Sequence, residues 1–473
     1  MLGTLSPGPD QKIEMEEIYR FANAGVSICG TLRWDPLHLF QEIKAGLRKA
    51  AALGEPIDGI STDAWGVDYV LFRDKEPMLT LPFHYRDSRT DGAMEKVFSK
   101  ISADAIFSET GIQFMSLNTL FQFYMDSQDR PETLEWADSF LNMGDYFNYL
   151  MSGVPKGEVT LASTTQLFNP ATGEWAWNVI GKLGLPKKIF PPLVPAGTVL
   201  GPLLPDIAVR TGLKNAQVIA ACSHDTAAAV AAIPGKGEKW AFISSGTWSL
   251  LGTEVKSPII NATSRKFNFT NEVGYGGTIM LRKNIVGLWI VQECRRAWAE
   301  LGNEYDYDTL TAMAEAATPL VSLIRPDDPR FGKPGRMVGK IAEYCRETSQ
   351  PVPTDPGSIV RCALESLALI YAQTLAECES VSEQKFTSIH LVGGGSRNRL
   401  LNQVAANATG LPVLAGPVEA TAIGNILVQA KTLGHLPGDL RAVVRASFPV
   451  QTFTPEDGGI WKTAIKLFGT LPV

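Results

Sequence analysis

The polar turn 223–226 (SHDT) carries the residue types best suited to acid–base chemistry. It follows the apolar run 217–222 and precedes an alanine-rich stretch typical of a helix. In open α/β sheets, ligands gather at the carboxyl ends of strands, where such a turn lies. A carboxylate there can accept a proton from a substrate hydroxyl within hydrogen-bond reach, which makes Asp225 a candidate general base. The alternative is that Asp225 or Thr226 caps the helix, and the two roles are compatible.

A second polar turn, 244–249 (SSGTWS), lies between two apolar runs. Its small residues would expose successive backbone N–H groups and hydroxyls, which together can cradle phosphate oxygens. The same composition is typical of an ordinary hairpin turn, and this interpretation is favoured for the segment taken alone.

A third turn, 393–398 (GGGSRN), follows a predicted strand and precedes a predicted amphipathic helix. Three glycines let a planar ligand or a phosphate approach the backbone, and a helix N-terminus favours anions. A dinucleotide-binding G-x-G-x-x-G would need glycine where this chain has Asn398. Because the chain also lacks a Walker-type G-x-x-x-x-G-K-[ST], the glycine turn indicates a different nucleotide geometry.

Weaker candidates remain open. The segment 84–89 (HYRDSR) could bind sugar hydroxyls or form a solvated, salt-bridged turn. No histidine stands at zinc-ligand spacing, so no metal ligand is assigned. Cys345 and Cys362 could form a disulfide if oxidised, although reduced thiols are expected in a cytoplasm.

The elements that position these turns alternate between strand-like and helical patterns, which predicts an α/β fold. A helix is predicted over 37–53, a strand–turn–strand over 239–254 and a strand–turn–helix over 388–410. The Pro- and Gly-rich stretch 190–206 is predicted to be a long surface connection. Two α/β domains, 1–230 and 231–473, are the economical interpretation.

Composition narrows the class of protein. The chain has 473 residues, a net charge of −6 and 45% apolar residues. This charge balance disfavours nucleic acid as the main partner, and the apolar content excludes global disorder. Six cysteines do not make a disulfide scaffold. With no apolar run of about 18 residues and no signal peptide in the first residues, we expect a cytoplasmic enzyme that binds no membrane.

Taken together, the motifs resemble the FGGY carbohydrate kinases. The resemblance begins near residue 14, continues to the C-terminus and rests on eight motifs in register: 63–68, 85–90, 110–114, 223–226, 244–249, 283–289, 393–398 and 415–420. Within that family the motifs are most similar to those of the kinases that phosphorylate L-rhamnulose.

The resemblance implies a two-domain actin- and hexokinase-like (ribonuclease H-like) fold with an active-site cleft between the domains. It implies a sugar-binding first domain, a nucleotide-binding second domain, and transfer of phosphate from ATP to L-rhamnulose with Mg²⁺. The partners would be the sugar and ATP, and the chain would be a monomer or a homodimer.

The resemblance also implies roles for single residues. Asp225 corresponds to the catalytic base that takes the proton from the sugar's primary hydroxyl. The other implied sugar-pocket positions are Gly66, His224, Thr226 and Asn284. The implied nucleotide contacts are Thr247, Gln292 and Gly394.

The first residues depart from the family pattern. The resemblance implies a strand, an acidic turn of Gly, Ala and Ser that holds the ATP phosphates, and then a second strand. Residues 1–5 (MLGTL) resemble the start of that second strand, and no such turn precedes them. We expect Met1 to be internal to a longer natural protein; the alternative is a kinase that has lost its phosphate hairpin.

Three other functions compete with this prediction. One is a kinase for a different ketose or polyol, such as fuculose, xylulose or ribulose. Another is an inactive sugar- or nucleotide-sensing pseudokinase, which a genuine loss of the phosphate hairpin would favour. The third is a hydrolase that uses His224 and Asp225, although no nucleophile elbow or metal-ligand pattern supports it.

Overall fold

A computed structural model describes residues 1–8, 10–78, 81–456 and 458–473. The strands in this part of the chain are β1 (Leu2–Leu5), β2 (Ile13–Glu16), β3 (Val26–Ile28), β4 (Thr31–Arg33), β5 (Gly59–Ile60), β6 (Tyr69–Arg73), β7 (Glu76–Pro77), β8 (Ser139–Asn142), β9 (Gly157–Glu158), β10 (Phe168–Asn169), β11 (Glu174–Trp175), β12 (Leu193–Val194), β13 (Thr198–Pro202), β14 (Gln217–Ala220), β15 (Trp240–Ser245), β16 (Trp248–Val255), β17 (Thr270–Val273), β18 (Ile279–Val286), β19 (Ser388–Val392), β20 (Val413–Ala415) and β21 (Gln451–Phe453).

The α-helices are α1 (Pro36–Ala51), α2 (Ala93–Phe98), α3 (Ala103–Thr110), α4 (Thr119–Asp129), α5 (Pro131–Trp136), α6 (Met143–Ser152), α7 (Val159–Ala162), α8 (Trp177–Lys182), α9 (Pro205–Thr211), α10 (Asp225–Ala231), α11 (Ala262–Lys266), α12 (Trp289–Glu300), α13 (Tyr307–Ala316), α14 (Pro329–Gly332), α15 (Met337–Glu347), α16 (Pro356–Ser382), α17 (Arg399–Thr409), α18 (Ala420–Thr432), α19 (Leu440–Ser447) and α20 (Gly458–Phe468).

The chain divides into two compact units. The first consists of Met1–Ala232, Val255–Leu281 and Thr421–Ser447, and the second of Ile233–Glu254, Arg282–Ala420 and Phe448–Val473. The chain therefore leaves the first unit after Ala232 and returns to it twice. These returns bring β17, most of α18 and all of α19 into the first unit.

In the first unit, the central strand β14 is flanked by β13 and β5. Strands β14 and β5 are parallel, and the pairing resumes beyond them as a bridge between Ala64 and His224. Parallel strands present their carboxyl ends at the same edge, so the segment after β5 runs beside the segment after β14. Buried apolar residues such as Ile60 and Val218 hold these strands against α6 and α9.

In the second unit, the sheet runs in the order β18, β16, β15, β19, β20, β21. Strands β15, β19 and β20 are mutually parallel, whereas β16 is antiparallel to β15 and β21 is antiparallel to β20. Phe242 and Leu391 are fully buried on the parallel strands, as expected when helices cover both faces. By length and composition, α16 is the one described helix that could span a membrane, and 78% of its most apolar window is buried inside the protein.

Most predicted elements near the polar turns are confirmed. The helix predicted over 37–53 is α1, which has Pro36 in its first turn and is capped by the Asp35 side chain. The segments 239–254 and 388–410 form the hairpin β15–β16 and the unit β19–α17, as predicted. The surface connection predicted over 190–206 is wrong in part, because β12 and β13 lie there and β13 pairs with β14. A bulge between Val199 and Gly201 lets β13 carry Gly and Pro at the sheet edge.

Gly424 of α18 is expected to tolerate no side chain. A Cβ atom there would lie 1.8 Å from the carbonyl oxygen of Ala228 in α10. We expect Gly424→Ala to destabilise the first unit by about 1–3 kcal/mol, because the two helices would have to separate. Thermal unfolding measures the effect.

The matched control is Gly181→Ala in α8, where a Cβ atom would meet nothing within 4 Å. This substitution should raise stability by about 0.5–1 kcal/mol, because alanine lowers the entropy cost of forming the helix. Equal melting temperatures for the two variants would contradict the packing argument.

Candidate functional site

Backbone pairing fixes the 223–226 turn. The Ala64 N–H donates to the Ser223 carbonyl over 2.9 Å, and the Asp225 N–H donates to the Ala64 carbonyl over 3.0 Å. Asp225 is the first residue of α10, whose N-cap is His224 without a side-chain capping bond, so the helix-cap interpretation of Asp225 and Thr226 is wrong. The Asp225 side chain is 43% exposed, whereas His224 and Thr226 are buried. An accessible carboxylate thus stands on a fixed backbone.

His224 lies between two carboxylates. Its Nε2 atom is 3.3 Å from Oδ1 of Asp225, and its Nδ1 atom is 3.4 Å from Oε2 of Glu272 on β17. The Thr226 hydroxyl donates to the same Asp225 oxygen over 3.0 Å. The structure therefore brings together three predicted residues and adds Glu272, which the sequence prediction missed. The signal for Glu272 is faint: it is a single acid within a buried strand, far along the chain from Asp225.

Asp63 adds a second carboxyl group near Asp225. Its Oδ2 atom accepts a hydrogen bond of 2.7 Å from the Asn425 amide, and Gln429 in turn donates to the Asn425 oxygen over 2.7 Å. Burial, followed by the negative charge of Asp225, raises the pKa of Asp63 to about 7. Sequence analysis included Asp63 in a motif but gave it no role of its own.

A buried carboxylate, Asp68, organises aromatic side chains beside this segment. The indole N–H groups of Trp34 and Trp65 donate to Oδ2 of Asp68 over 2.6 and 2.9 Å, and the Gln122 amide donates to Oδ1 over 3.1 Å. The Trp34 ring lies 4.2 Å from that of Trp65 and 4.1 Å from that of His84, between ring centroids. Burial raises the pKa of Asp68 to about 6, although the three hydrogen bonds oppose the shift. The indoles are therefore held in fixed orientations.

Gly66 and Val67 form a tight, strained corner between Trp65 and Asp68. A Cβ atom on Gly66 would lie 2.7 Å from the hydroxyl oxygen of Thr164. Val67 has φ of 70°, in the left-handed region that β-branched residues rarely adopt. Its N–H donates to the Thr164 hydroxyl over 3.1 Å, and its carbonyl accepts the Thr119 hydroxyl over 2.6 Å. The surrounding hydrogen bonds hold this conformation in place.

The 84–89 turn is a structural corner at Asp87 and Arg89. The Asp87 carboxylate accepts the Arg89 N–H over 3.0 Å and the Leu32 N–H over 2.6 Å. Arg89 forms an ion pair of 2.6 Å with Asp126, and both side chains are buried. Of the two interpretations left open, the salt-bridged turn fits these residues, although the pair is buried and not solvated.

In the second unit, 244–249 forms the hairpin turn between β15 and β16, as predicted from its composition. The Gly246 N–H donates to the Trp248 carbonyl over 2.8 Å. The Thr247 hydroxyl lies at 3.2 Å from Oε1 of Gln292 on α12 and donates to it. Two predicted nucleotide contacts are therefore adjacent.

The three glycines of the glycine turn differ in their surroundings. A Cβ atom on Gly393 would lie 2.8 Å from the Ser245 carbonyl oxygen, and one on Gly395 would lie 2.1 Å from the Ser245 hydroxyl. A Cβ atom on Gly394 would meet nothing within 4 Å. Gly393 and Gly395 are thus required by packing against β15, and Gly394 faces open space. Asn398 caps α17 by accepting the Leu401 N–H over 2.8 Å.

Asn284 lies on β18 in the second unit. Its side-chain oxygen accepts a hydrogen bond of 2.5 Å from Arg282. The predicted sugar-pocket residues therefore divide between the units: Gly66, His224, Asp225 and Thr226 belong to the first, and Asn284 to the second.

No group of three or more His, Cys, Asp or Glu side chains is arranged to hold a metal ion within residues 1–8, 10–78, 81–456 and 458–473. Cys345 and Cys362, the pair considered for a disulfide, are buried free thiols.

Family models match both parts of the chain. The N-terminal domain model of the FGGY family of carbohydrate kinases matches residues 18–232, and its C-terminal domain model matches residues 241–433. The chain belongs to the FGGY family of carbohydrate kinases. The family predicted from the eight motifs is confirmed.

Relatives of this FGGY kinase match it over nearly its full length. It is 42% identical to a rhamnulokinase of Bacteroides thetaiotaomicron over 454 residues, which cover 96% of this chain and 93% of that protein. It is 39% identical to a rhamnulokinase of Bacillus subtilis, covering 97% of this chain and 93% of that protein.

Solved structures agree in fold. A xylulose kinase from Lactobacillus acidophilus superposes with a TM-score of 0.78 at 14% identity, covering 97% of this chain and 92% of that one. The structure of a glycerol kinase of Plasmodium falciparum with ADP superposes with a TM-score of 0.75 at 14% identity. The match covers 98% of this chain and 93% of that one. The predicted two-domain, mixed α/β kinase fold is confirmed.

Asp63 should make stability depend on pH. Its pKa is about 7 in the folded chain against 3.8 in the reference state, so the folded chain binds the extra proton between these values. The stability that this proton contributes is complete at low pH and is lost as pH rises through about 7. Asp63→Asn removes the ionisation while its side-chain oxygen still accepts from Asn425. We therefore expect the variant to exceed the parent in stability at pH 8 by ~1–4 kcal/mol, and by much less at pH 5.

The measurement is thermal or urea unfolding at several pH values. Asp91→Asn, at an exposed position of the same unit, is the control and should leave the pH dependence unchanged. A stability difference between Asp63→Asn and the parent that does not vary with pH would rule out a titrating Asp63.

Proposed function

We propose that this FGGY kinase transfers the γ-phosphoryl group of ATP to the terminal hydroxyl of L-rhamnulose, giving L-rhamnulose 1-phosphate and ADP. The similarity to rhamnulokinases over nearly the whole chain supports the substrate. The observation that carries the chemistry is the placement of Asp225, an accessible carboxylate on a fixed turn at the end of a central strand.

In the proposed reaction, Asp225 accepts the proton of the sugar hydroxyl. The hydroxyl oxygen forms a bond to the γ-phosphorus, and the bond from that phosphorus to the β,γ-bridging oxygen breaks, which releases ADP. Phosphoryl transfer requires positioning and charge stabilisation more than covalent catalysis, so the surrounding residues act chiefly by orienting the substrates.

We also propose which residues bind the sugar and the nucleotide. Gly66, His224, Thr226 and Asn284 would contact the sugar. Thr247 and Gln292, which are hydrogen-bonded to each other, would contact the nucleotide, and the open face of Gly394 would admit the adenosine.

Mg²⁺ is proposed as part of the substrate complex with ATP. Mg²⁺ typically keeps several waters and binds through substrate phosphates with few protein carboxylates. A chain without a cluster of three ligating side chains among its described residues is compatible with that mode. A cytoplasmic location and a monomeric or homodimeric state stay predictions.

Asp225→Asn should abolish most of the sugar-dependent release of ADP. Removing a general base typically lowers the rate about 10²–10⁴-fold, and the nearly isosteric amide should preserve the pocket. Turnover is measured by coupled ADP detection and sugar affinity by calorimetry, in a parent protein that is active. We expect sugar affinity to change little.

The matched control is Asp206→Asn, which neutralises an exposed aspartate in the first turn of the equally short helix α9. Its turnover should equal that of the parent. If Asp225→Asn also retained the parent rate, another group would have to be the base.

Substrate selectivity provides a separate test. We expect a higher kcat/KM for L-rhamnulose than for L-fuculose, D-xylulose, D-ribulose or glycerol in competition assays. A higher value for any of these alternatives would reassign the substrate and leave phosphoryl transfer in place. Failure to phosphorylate L-rhamnulose or any of these alternatives, with sugar or nucleotide binding retained, would favour the sensing pseudokinase.

A further inference from the structure

Glu272 is a buried carboxylate with a defined position next to His224. Both side chains are buried, and Oε2 of Glu272 lies 3.4 Å from Nδ1 of the imidazole. The opposite edge of the same ring faces Asp225, with Nε2 at 3.3 Å from Oδ1. A single imidazole thus separates a buried acid from the proposed catalytic base.

Strand β17 holds Glu272 in this position. The Thr270 hydroxyl donates to Oε1 of Glu272 over 3.2 Å, which leaves Oε2 directed at the ring. The backbone on either side is anchored, because the Val273 N–H donates to the Ser163 hydroxyl over 3.0 Å and the Asn271 N–H donates to the Gly111 carbonyl over 2.9 Å. The carboxylate therefore does not depend on His224 for its placement.

Two carboxylates on opposite edges of an imidazole favour its doubly protonated form over its neutral form. A neutral ring has one N–H donor and one lone-pair acceptor, so it can donate to only one of two flanking carboxylates. The other nitrogen would then direct its lone pair at a carboxylate oxygen. A doubly protonated ring donates on both sides and offsets the burial of negative charge, which is costly without a partner.

Other titratable groups lie close to the 223–226 turn. Asp63 interacts electrostatically with Asp225, the Glu158 carboxylate accepts the Ser223 N–H over 2.9 Å, and the Asp145 carboxylate accepts the Glu158 N–H over 3.0 Å. Cys222 immediately precedes the turn and interacts electrostatically with Tyr275. Burial raises the pKa of Asp63 and of Glu158 to about 7, and that of Asp145 well above its ordinary value. The raised pKa values favour the neutral forms of these three carboxyl groups. Asp225 and Glu272 are the carboxyl groups that lie against the imidazole nitrogens, at 3.3 and 3.4 Å.

We propose that Glu272 is a positioning residue that keeps His224 doubly protonated, with its Nε2–H directed at Asp225. The positive ring then places a cationic N–H against the Asp225 carboxylate, which is proposed to accept the proton of the sugar. The inference rests on the proposed role of Asp225 as the base and deepens it, because it names the two residues, His224 and Glu272, that set the charge beside that base.

The main test is Glu272→Gln, which keeps the size of the side chain and removes its charge. We expect the acidic limb of the kcat/KM profile for L-rhamnulose to move to higher pH by about 0.5–1 unit, because Asp225 loses a neighbouring positive charge. Nitrogen-15 NMR of the imidazole should show His224 doubly protonated at pH 7 in the parent and neutral in the variant. A uniformly lower rate, with an unmoved limb and an unchanged ring, would overturn the proposal.

Two further variants exclude a merely structural effect. In a His224→Asn background, Glu272→Gln should cause no further movement of the acidic limb, because the ring that transmits the effect is gone. Thr270→Val leaves the charge of Glu272 in place but removes the hydroxyl that orients it, and it should move the limb in the same direction by less. Thr270→Val also tests the proposal if Glu272→Gln fails to fold. A full shift in the His224→Asn background would contradict the proposal.

Glu365→Gln is the matched control. Glu365 is a buried carboxylate of the second unit that pairs with Arg361 over 2.8 Å and accepts the Leu320 N–H over 2.7 Å. Its loss should lower the melting temperature without moving the acidic limb. If the parent failed to phosphorylate L-rhamnulose, the proposed function would fail, and the NMR comparison would still decide whether Glu272 sets the protonation of His224.

Discussion

The candidate sugar site depends on one short stretch of backbone pairing. Ala64 donates to the carbonyl of Ser223 and accepts from the N–H of Asp225, which extends the parallel pairing of β5 and β14 past the ends of both strands. This pairing sets Asp63 beside Asp225 and leads directly into the aromatic groups organised by Asp68. The pairing is made by backbone atoms, so side chains on either strand can differ without changing where the two carboxyl groups lie. A rigid sheet edge of this kind holds functional groups more accurately than a free loop.

Several buried carboxyl groups surround that edge, and each is compensated in a different way. Asp68 accepts two indole N–H groups, Glu158 accepts the backbone N–H groups of Ser223 and Thr160, and Asp63 accepts an amide from Asn425. Hydrogen bonds offset part of the desolvation, but burial still raises the pKa of Asp68 to about 6 and that of Glu158 to about 7. Burial, followed by the negative charge of Asp225, raises the pKa of Asp63 to about 7. Such groups favour a defined geometry at some cost in stability, a pattern common at functional sites.

Sequence patterns were sufficient for local structure and insufficient for long-range contacts. The turn at Asp225, the hairpin at Thr247 and the glycine turn are encoded by neighbouring residues, so periodicity and turn chemistry predicted them. Glu272 and Asn425 reach the site because the chain returns twice to the first unit, and no local sequence pattern predicts such a return. The environment of Arg89 also differs from the expected solvated turn. Its side chain is buried in an ion pair with Asp126 on α4, and this partner cannot be identified from the residues next to Arg89 in the sequence.

The second return shows how packing and polar contact are linked. Gly424 lets α18 approach the backbone of α10 so closely that no side chain fits between them. The next residue, Asn425, is thereby placed where its amide reaches Asp63, and Gln429 one turn later fixes the orientation of that amide. A larger residue at 424 would move the helix and so withdraw the Asn425 amide from the Asp63 carboxyl group. The segment Thr421–Ser447 is therefore part of the candidate site through its packing, although it lies far from Asp225 in the sequence.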